Sequence, residues 1–254
     1  MPLAMPPASI IQKSVITSWD DTSQIDFKLV NLLEKYGVKA SFFVITDQIG
    51  KKISKDDVRS ISQSFEVGSH TVSHHSLPSL SENASLLELS KSKSDLDELL
   101  GKNTSTFCYP YGNYNDSVIK QVRSVGYKYA RTFDPYHFEV PKDLFQINVG
   151  VWAEPHGFFY SRGAKNTLNL LKTLLGREVF ANSVGSLMRI RNWLELSKRM
   201  FDIFMARGSV FHLVGHAWRI EENNEWGKLE ELLTYISARN SVRYLNIGEY
   251  ASTL

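Results

Sequence analysis

The chain has 254 residues, of which 43% are hydrophobic and 22% charged, and its formal net charge at pH 7 is +2. This length suits one large α/β barrel or two small domains, and it allows a substantial buried core. The charges are mixed with no basic stripe, which argues against a nucleic-acid-binding protein. The single cysteine, Cys108, excludes an intramolecular disulfide framework and is compatible with a reducing compartment.

The first residues and the hydropathy give an expectation about location. The opening segment Met1–Pro7 has no basic start and no apolar core of about 7–15 residues, so it does not resemble a secretory signal. No apolar run approaches the roughly 20 residues that a membrane-spanning helix needs. We therefore expect a cytoplasmic protein without a membrane span.

Strand-like and helix-like segments alternate along the chain. Strands are predicted at residues 10–17, 40–46, 65–67, 106–109, 127–131, 144–151, 210–214 and 242–247. Helices are predicted at residues 25–36, 81–100, 115–125, 164–175, 192–206 and 226–237. A further short helix is predicted to start at residue 54. This alternation predicts a parallel sheet with helices outside, and seven or eight such units predict a (β/α) barrel. Without a repeat or a linker-like stretch, residues 1–254 are expected to form a single domain with a core at about residues 12–250.

Polar motifs follow four of the predicted strands. Asp20 and Asp21 end the first apolar run, the histidine pair follows the third strand, Tyr109–Gly112 follows the fourth, and His216 follows the strand at 210–214. Active residues of such barrels lie at the C-terminal ends of the strands, so these side chains should converge. Two imidazoles and a carboxylate would make a divalent-metal site with open positions.

The histidine pair itself, His70 and His74, is four residues apart. In a helical turn they would be roughly 6 Å apart along the axis, and in a strand about 13 Å, which is too far to share an ion. A shared ion therefore predicts a turn of helix here. His212 lies about 13 Å before His216 if the strand is extended, so only one of them can reach the site, and the strand end favours His216. The histidines predicted to be structural or at the surface are His75, His137 and His156.

These motifs resemble those of the polysaccharide deacetylases with the NodB-homology domain, carbohydrate esterase family 4. Ser18–Asp21 looks like the family's Thr-Phe-Asp-Asp motif, and His70–His74 fits its His-(Ser/Thr)-x-x-His motif without change. Tyr109–Gly112 resembles the third motif, and Leu213–His216 resembles the late Leu-x-His motif with one extra residue. The resemblance covers about Val15 to Ile247 and implies a distorted (β/α) barrel.

The resemblance also implies roles. Asp20 would be the catalytic base, His216 the general acid, and the backbone N–H of Tyr111 would help to bind the oxyanion. The residues that would hold a divalent metal are Asp21, His70 and His74. Zn²⁺ is the first expectation for that metal, with Co²⁺, Ni²⁺ or Mn²⁺ as alternatives. The implied reaction is removal of an N-acetyl group from an amino sugar or polysaccharide by metal-activated water. Candidates for contacting the sugar are Trp19, Pro110, Tyr111, Trp152 and Trp218.

Two departures from the family pattern concern the catalytic base. The arginine that commonly opens the third motif is here Cys108, and the Asp-x-x-Asp-Trp motif is not visible; the nearest segment is Thr132–Pro135. In the family, that arginine and an acid of the fourth motif brace the base. Because a lone buried charge is costly, losing both together is coherent, and we expect Asp20 to be tuned differently here. Cys108 is predicted to be a small buried core residue.

Two other functions remain open from the sequence. The first is a deformylase or cyclic-amide hydrolase on the same barrel, since the metal and base chemistry would be the same. The second is a non-catalytic carbohydrate-binding descendant, against which the complete set of catalytic residues argues, because pure binding needs neither a base nor an acid.

The region Ala153–Arg207 is too long for a simple βα connection. Leucines recur at helical spacing in its first predicted helix, at Leu168, Leu171, Leu174 and Leu175. Because the region follows a strand that should end near the metal motifs, one hypothesis is a lid over the site. The alternatives are an outer helix on the barrel wall and a subunit contact.

Overall fold

A computed structural model describes residues 12–154 and 192–254 of the chain. Its strands are β1 (Lys13–Trp19), β2 (Ser41–Val44), β3 (Glu66–Ser69), β4 (Thr106–Cys108), β5 (Tyr129–Arg131), β6 (Val151–Trp152), β7 (Val210–Gly215) and β8 (Val242–Leu245). Its helices are α1 (Asp26–Tyr36), α2 (Lys55–Ser64), α3 (Glu82–Leu100), α4 (Asp116–Val125), α5 (Trp193–Arg207), α6 (Ala217–Glu222), α7 (Trp226–Ile236) and α8 (Ile247–Ala251).

Every pairing between these strands is parallel, in the order β5-β4-β3-β2-β1-β7-β6, with β8 added on β1. The sheet curls because the segment before β6 also bonds to β5: Ala130 N–H donates to Leu144 O at 2.8 Å, and Ile147 N–H donates to Ala130 O at 2.9 Å. The result is a distorted (β/α) barrel, and the predicted fold class is confirmed. Since all strands run the same way, their C-terminal ends meet at one end of the barrel.

The central strand β1 is buried along nearly its whole length, as expected for a parallel strand covered on both faces. On one wall, α5 packs Phe201 and Phe204 against Phe211 of β7, with ring centroids 5.3 and 5.9 Å apart. The described end of the 153–207 region is therefore an outer helix of the barrel. The predicted helix at 164–175 and its leucine stripe lie outside the described residues.

Helix ends follow the local signals in the sequence. Ser54 and Asp57 form a capping box at the start of α2, Asn115 caps α4, and Gly37 ends α1 in the left-handed conformation with φ 63°. The predicted strand at 144–151 is mostly wrong, because this segment changes partner: Ile147 bridges to β5, and regular pairing with β7 starts only at Val151. Within the described residues, no helix is both long and apolar enough to cross a bilayer.

Candidate metal centre and active site

The two adjacent acids lie where β1 leaves the sheet. Asp20 N–H still bonds to Gly215 O at 3.1 Å, whereas Asp21 has φ 56°, a left-handed conformation that aspartate adopts more readily than most residues. This turn separates the two carboxylates. Asp20 is fully buried, while the Asp21 side chain keeps 21% of its surface exposed towards the strand ends.

The segment from His70 to His74 is not the helical turn that the spacing predicts. It is an irregular loop after β3, with Thr71 at φ 67° and His74 at φ 61°. These two left-handed residues fold the loop back so that the Nε2 atoms of His70 and His74 are 3.1 Å apart. The prediction weighed only a helix against a strand, but a loop with two left-handed residues brings the imidazoles together as well.

Three donor atoms meet at this point. Oδ1 of Asp21 lies 3.9 Å from Nε2 of His70 and 3.7 Å from Nε2 of His74, and it has no hydrogen-bond partner among the described residues. From the three separations, the equidistant point lies about 2.1 Å from each atom, which matches Zn–N and Zn–O distances. The donor set therefore fits a divalent ion.

The protonation of the two histidines suits metal binding. Nδ1 of His70 lies 2.9 Å from the carbonyl oxygen of Cys108, so it donates its proton there and leaves the Nε2 lone pair free. Burial lowers the pKa of both His70 and His74, although the neighbouring aspartates act in the opposite sense. Both rings are thus neutral, which is the form that coordinates metals.

Asp20 is held by an arginine from a neighbouring part of the barrel. Nη2 of Arg131, the last residue of β5, donates to Oδ1 of Asp20, and both side chains are fully buried. Burial alone would raise the pKa of Asp20, but the Arg131 guanidinium brings that pKa below its ordinary value. Oδ2 of Asp20 is buried and has no hydrogen-bond partner among the described residues.

His216 follows β7 and is oriented by Glu154. Oε2 of Glu154 accepts from the backbone N–H of His216 at 3.1 Å and from its Nδ1 at 3.0 Å. Burial lowers the pKa of His216, but the Glu154 hydrogen bond and charge outweigh burial and raise that pKa above its ordinary value. Nε2 of His216 lies 3.8 Å from Oδ2 of Asp21, beside the three converging donor atoms.

Comparison with known proteins agrees with these motifs. The sequence model of the polysaccharide deacetylases matches residues 9–130. Over these residues, just under half of the chain, the sequence is similar to the polysaccharide deacetylase family. YxkH of Bacillus subtilis, provisionally named a polysaccharide deacetylase, is 29% identical over 128 residues, which are 49% of this chain and 46% of that protein. The poly-beta-1,6-N-acetyl-D-glucosamine N-deacetylase of Staphylococcus aureus is 27% identical over 137 residues, 47% of each chain.

This chain thus spans about half the length of the curated relatives that it matches. Among solved structures, a protein of Mycobacterium smegmatis, provisionally named a polysaccharide deacetylase, has a TM-score of 0.67 at 16% identity. That similarity covers 100% of this chain and 94% of the other, and it shows the shared fold alone.

Within this family pattern, Arg131 corrects the expectation that the base has lost its arginine. Cys108 stands where the third motif commonly has arginine, and it is fully buried as predicted. Its register partner on the adjacent strand is Arg131. Compared with the family pattern, the arginine thus lies on the neighbouring strand β5 instead of β4, and its guanidinium still contacts Asp20. The available signal was an arginine as the last residue of the predicted strand at 127–131.

Glu154 is a second residue that the sequence reasoning missed. The family's fourth motif supplies an acid near the base, and no such motif is visible in this sequence. Here the buried acid follows β6 by two residues and orients His216 instead. Its other oxygen lies 3.5 Å from Nε of Arg219, so the Glu154 carboxylate contacts both His216 and Arg219. An acid just past a predicted strand end was the only sequence signal for it.

The residues suggested for sugar binding divide into two groups. Trp19 is fully buried and Pro110 is buried, so neither can contact a sugar, and those two predictions are wrong. Tyr111 is 63% exposed, has φ 58°, and places its ring 4.5 Å from that of His74. The rings of Trp152 and Trp218 lie 6.3 and 5.6 Å from that of His216.

A cleft of about 400 Å³ adjoins the donor atoms and is lined by Asp21, Ser23, Lys52, Trp218 and Glu222.

His212 is buried inside the barrel, where it makes two hydrogen bonds. Its Nε2 lies 2.9 Å from Oγ of Ser18, and its Nδ1 lies 3.0 Å from the carbonyl oxygen of Asn148.

Proposed function

We propose that this chain is a metal-dependent N-deacetylase that hydrolyses the N-acetyl group of an amino sugar within a glycan. The observation that carries the proposal is the convergence of Asp21, His70 and His74 on one point, with a carboxylate and a protonatable imidazole beside it. The match of residues 9–130 to the polysaccharide deacetylase model and the named activity of the Staphylococcus aureus relative support the substrate class.

The metal would be held by Asp21, His70 and His74, with Zn²⁺ as the first choice. When bound, such an ion supplies Lewis acidity, which lowers the pKa of water and polarises an amide carbonyl. The protein's own groups then have to move protons. Asp20 is kept ionised by Arg131, and its free Oδ2 is the atom that takes a proton from the attacking water.

His216 is proposed as the general acid, which donates a proton where Asp20 accepts one. Its Nδ1 is fixed by Glu154, which favours the imidazolium and leaves the Nε2 proton directed at the cluster. That proton goes to the amine as the C–N bond breaks, because an unprotonated amine is a poor leaving group. The backbone N–H of Tyr111, in a turn with φ 58°, is proposed to donate to the oxyanion.

The deciding test is the release of acid from a panel of N-acylated sugars, measured with the metal-loaded protein. Acetate from N-acetylglucosamine oligomers supports the proposal. Formate from N-formyl sugars alone, or ammonia and acid from cyclic amides, would replace it by the other C–N hydrolases. Tight binding of the oligomers with no product from any of them would make the chain a carbohydrate-binding descendant.

Substitutions of the two adjacent acids, Asp20 and Asp21, should have different effects on metal binding. Asp20→Asn is expected to keep the metal and lose most activity, because Asp20 is paired with Arg131 and is not one of the three converging donors. Asp21→Asn should weaken metal binding, since it removes the charged oxygen ligand. Metal content and acetate release are measured on both variants. Equal loss of metal in the two would mean that the acids share the ligand role.

A further inference from the structure

The loop that carries both histidine ligands has a backbone that its own sequence does not favour. Thr71 and His74 are non-glycine residues in the left-handed region, with φ 67° and 61°. Threonine in particular rarely adopts this conformation, because its β-branched side chain crowds the backbone. Such residues persist only where surrounding contacts fix them. The question is which contacts hold this loop.

The first half of the loop is held by backbone groups that follow β2. Thr46 N–H donates to Thr71 O at 3.1 Å, and Asp47 N–H donates to Val72 O at 3.0 Å. These bonds fix the part next to His70, whose ring is also anchored on the Cys108 carbonyl. They do not reach the second half, which places His74.

The second half is held by one carboxylate and, within the loop itself, by His74 N–H, which donates to Oγ1 of Thr71 at 3.0 Å. Oε2 of Glu88 accepts from Val72 N–H at 3.0 Å and from Ser73 N–H at 2.9 Å, and Oε1 accepts from the Ser73 hydroxyl at 2.6 Å. Glu88 lies within the 19-residue helix α3, next to the fully buried Leu89. The backbone from which its side chain extends is therefore held firmly in place. Hydrogen bonds to an ionised acceptor are among the stronger ones in proteins.

We propose that Glu88 is a positioning residue for the metal centre, which fixes the His74 ligand relative to His70. It touches neither the donor atoms nor a substrate; it acts through the peptide groups of Val72 and Ser73, immediately before His74. Without it, the loop loses three bonds, and the His74 backbone keeps the bond from its N–H to Oγ1 of Thr71 but not the support of Val72 and Ser73. This inference rests on the proposed metal site, and its consequence is an effect on metal affinity rather than on folding.

The test is Zn²⁺ affinity of the metal-depleted full chain, measured in competition with a chromophoric chelator. Glu88→Ala should weaken Zn²⁺ binding by roughly 10- to 100-fold, the range found for lost outer-shell partners of metal ligands. Glu88→Gln should fall between wild type and Glu88→Ala, because one amide oxygen can still accept both N–H groups. The visible spectrum of the Co²⁺-loaded protein, which reports ligand geometry, should change in the same order.

Asp97 provides a matched control on the same helix. Its carboxylate also accepts a backbone N–H, that of Thr104 at 2.6 Å, and pairs with Lys93 at 2.9 Å, but it touches no ligand loop. Asp97→Ala should therefore destabilise the fold yet leave Zn²⁺ affinity unchanged.

Two results would overturn the role of Glu88: wild-type Zn²⁺ affinity in Glu88→Ala, or equal weakening in Asp97→Ala. If Glu88→Ala does not fold, Glu88→Gln and Ser73→Ala carry the same comparison. A wild-type chain that binds neither Zn²⁺ nor Co²⁺ would remove the proposed metal site itself, and the role of Glu88 with it. Normal metal binding without acetate release would contradict only the proposed reaction.

Discussion

At the scale of single residues, Asp20 and Arg131 form an ion pair that is buried on both sides. Both side chains are completely buried, and the guanidinium also lies 4.5 Å from the ring centroid of Phe133. Removing one partner of such a pair leaves the other charge buried without compensation, which commonly costs about 3–5 kcal/mol. The pair keeps Asp20 ionised, and the barrel depends on it for stability as well.

Arg131→Met should therefore lose both stability and activity. We expect a fall of about 3–5 kcal/mol in the free energy of unfolding from urea titration. Acetate release should fall as well, because burial without the guanidinium raises the pKa of Asp20 and neutralises the base. The double variant Asp20→Asn/Arg131→Met should recover most of the stability and none of the activity, since neither charge remains. A double variant as unstable as the single one would mean that lost packing, not charge, dominates.

Asp26 gives a pH-dependent prediction. It is fully buried at the start of α1, and burial raises its pKa to about 7, despite the hydrogen bonds that it accepts from Ser23. Between about pH 4 and 7 the folded protein therefore keeps a proton that the unfolded chain has lost, and stability falls as pH rises through this window. Asp26→Asn has no such group, so its stability relative to wild type should rise from about pH 4 to 7 and then level off.

The measurement is urea unfolding of wild type and Asp26→Asn at several pH values in the presence of a chelator. Asp56→Asn is the matched control, because Asp56 is also in the first turn of a helix but its side chain is 92% exposed and lacks the burial of Asp26. A difference between wild type and Asp26→Asn that stays constant from about pH 4 to 7 would show that burial does not raise the pKa of Asp26 in the folded protein.

At the scale of elements, carboxylates hold the segments that leave the strand ends. Asp26 accepts from Ser23 N–H at 2.9 Å after β1, Glu88 binds the loop after β3, and Glu154 binds His216 N–H after β7. In each case a carboxylate accepts a backbone N–H of the segment that carries a site residue. The site's geometry is thus fixed in part by carboxyl groups outside the cluster of donor atoms.

The difference between local signals and such distant contacts explains what the sequence could predict. Helices and strands were predictable because their signals are local, such as Ser54 as an N-cap or Gly37 as a helix end. The donor atoms were predictable as residue types at strand ends. The loop around His70 and His74 was not, because its left-handed residues depend on Glu88, which is 14 residues further along. Arg131 was missed for the same reason, since its partner is 111 residues away.

Glu66 makes a comparable connection at the opposite end of the barrel. At the start of β3, its carboxylate accepts from the hydroxyls of Ser41 and Thr106 and from Gly248 N–H of α8. It thus ties two neighbouring strands to the C-terminal helix. Glu66→Ala should lower the free energy of unfolding by about 2–4 kcal/mol, because three hydrogen-bonding groups lose a charged acceptor.

Urea unfolding and amide exchange of α8 measure this effect, with Glu231 as the control. Glu231 forms an exposed ion pair with Lys198, so Glu231→Ala should change stability by less than about 1 kcal/mol. Similar losses in both variants would show that the partly buried hydrogen bonds of Glu66 contribute no more to stability than a surface ion pair.

At the scale of the whole molecule, the barrel separates the proposed metal site from the hydrophobic core. The core packs the helices against the strands, whereas the donor atoms lie at the strand ends. His70 is not a clean probe of this separation, because it is fully buried and anchors the Cys108 carbonyl. His74 is cleaner, since its side chain is 21% exposed and its Nε2 faces the other donors.

His74→Ala should therefore fold like wild type without metal and differ from it only when metal is added. An ion that binds only the folded state stabilises it by RT ln(1 + [L]/Kd), about 2.7 kcal/mol when free Zn²⁺ is 100 times Kd. Wild type should show a rise of this size in the free energy of unfolding, and His74→Ala should show almost none. Urea unfolding with chelator and with buffered Zn²⁺ gives both values for both proteins. An equal Zn²⁺-dependent rise in the variant would mean that the ion binds elsewhere, whereas a loss of stability already in chelator would mean that His74 also supports the core.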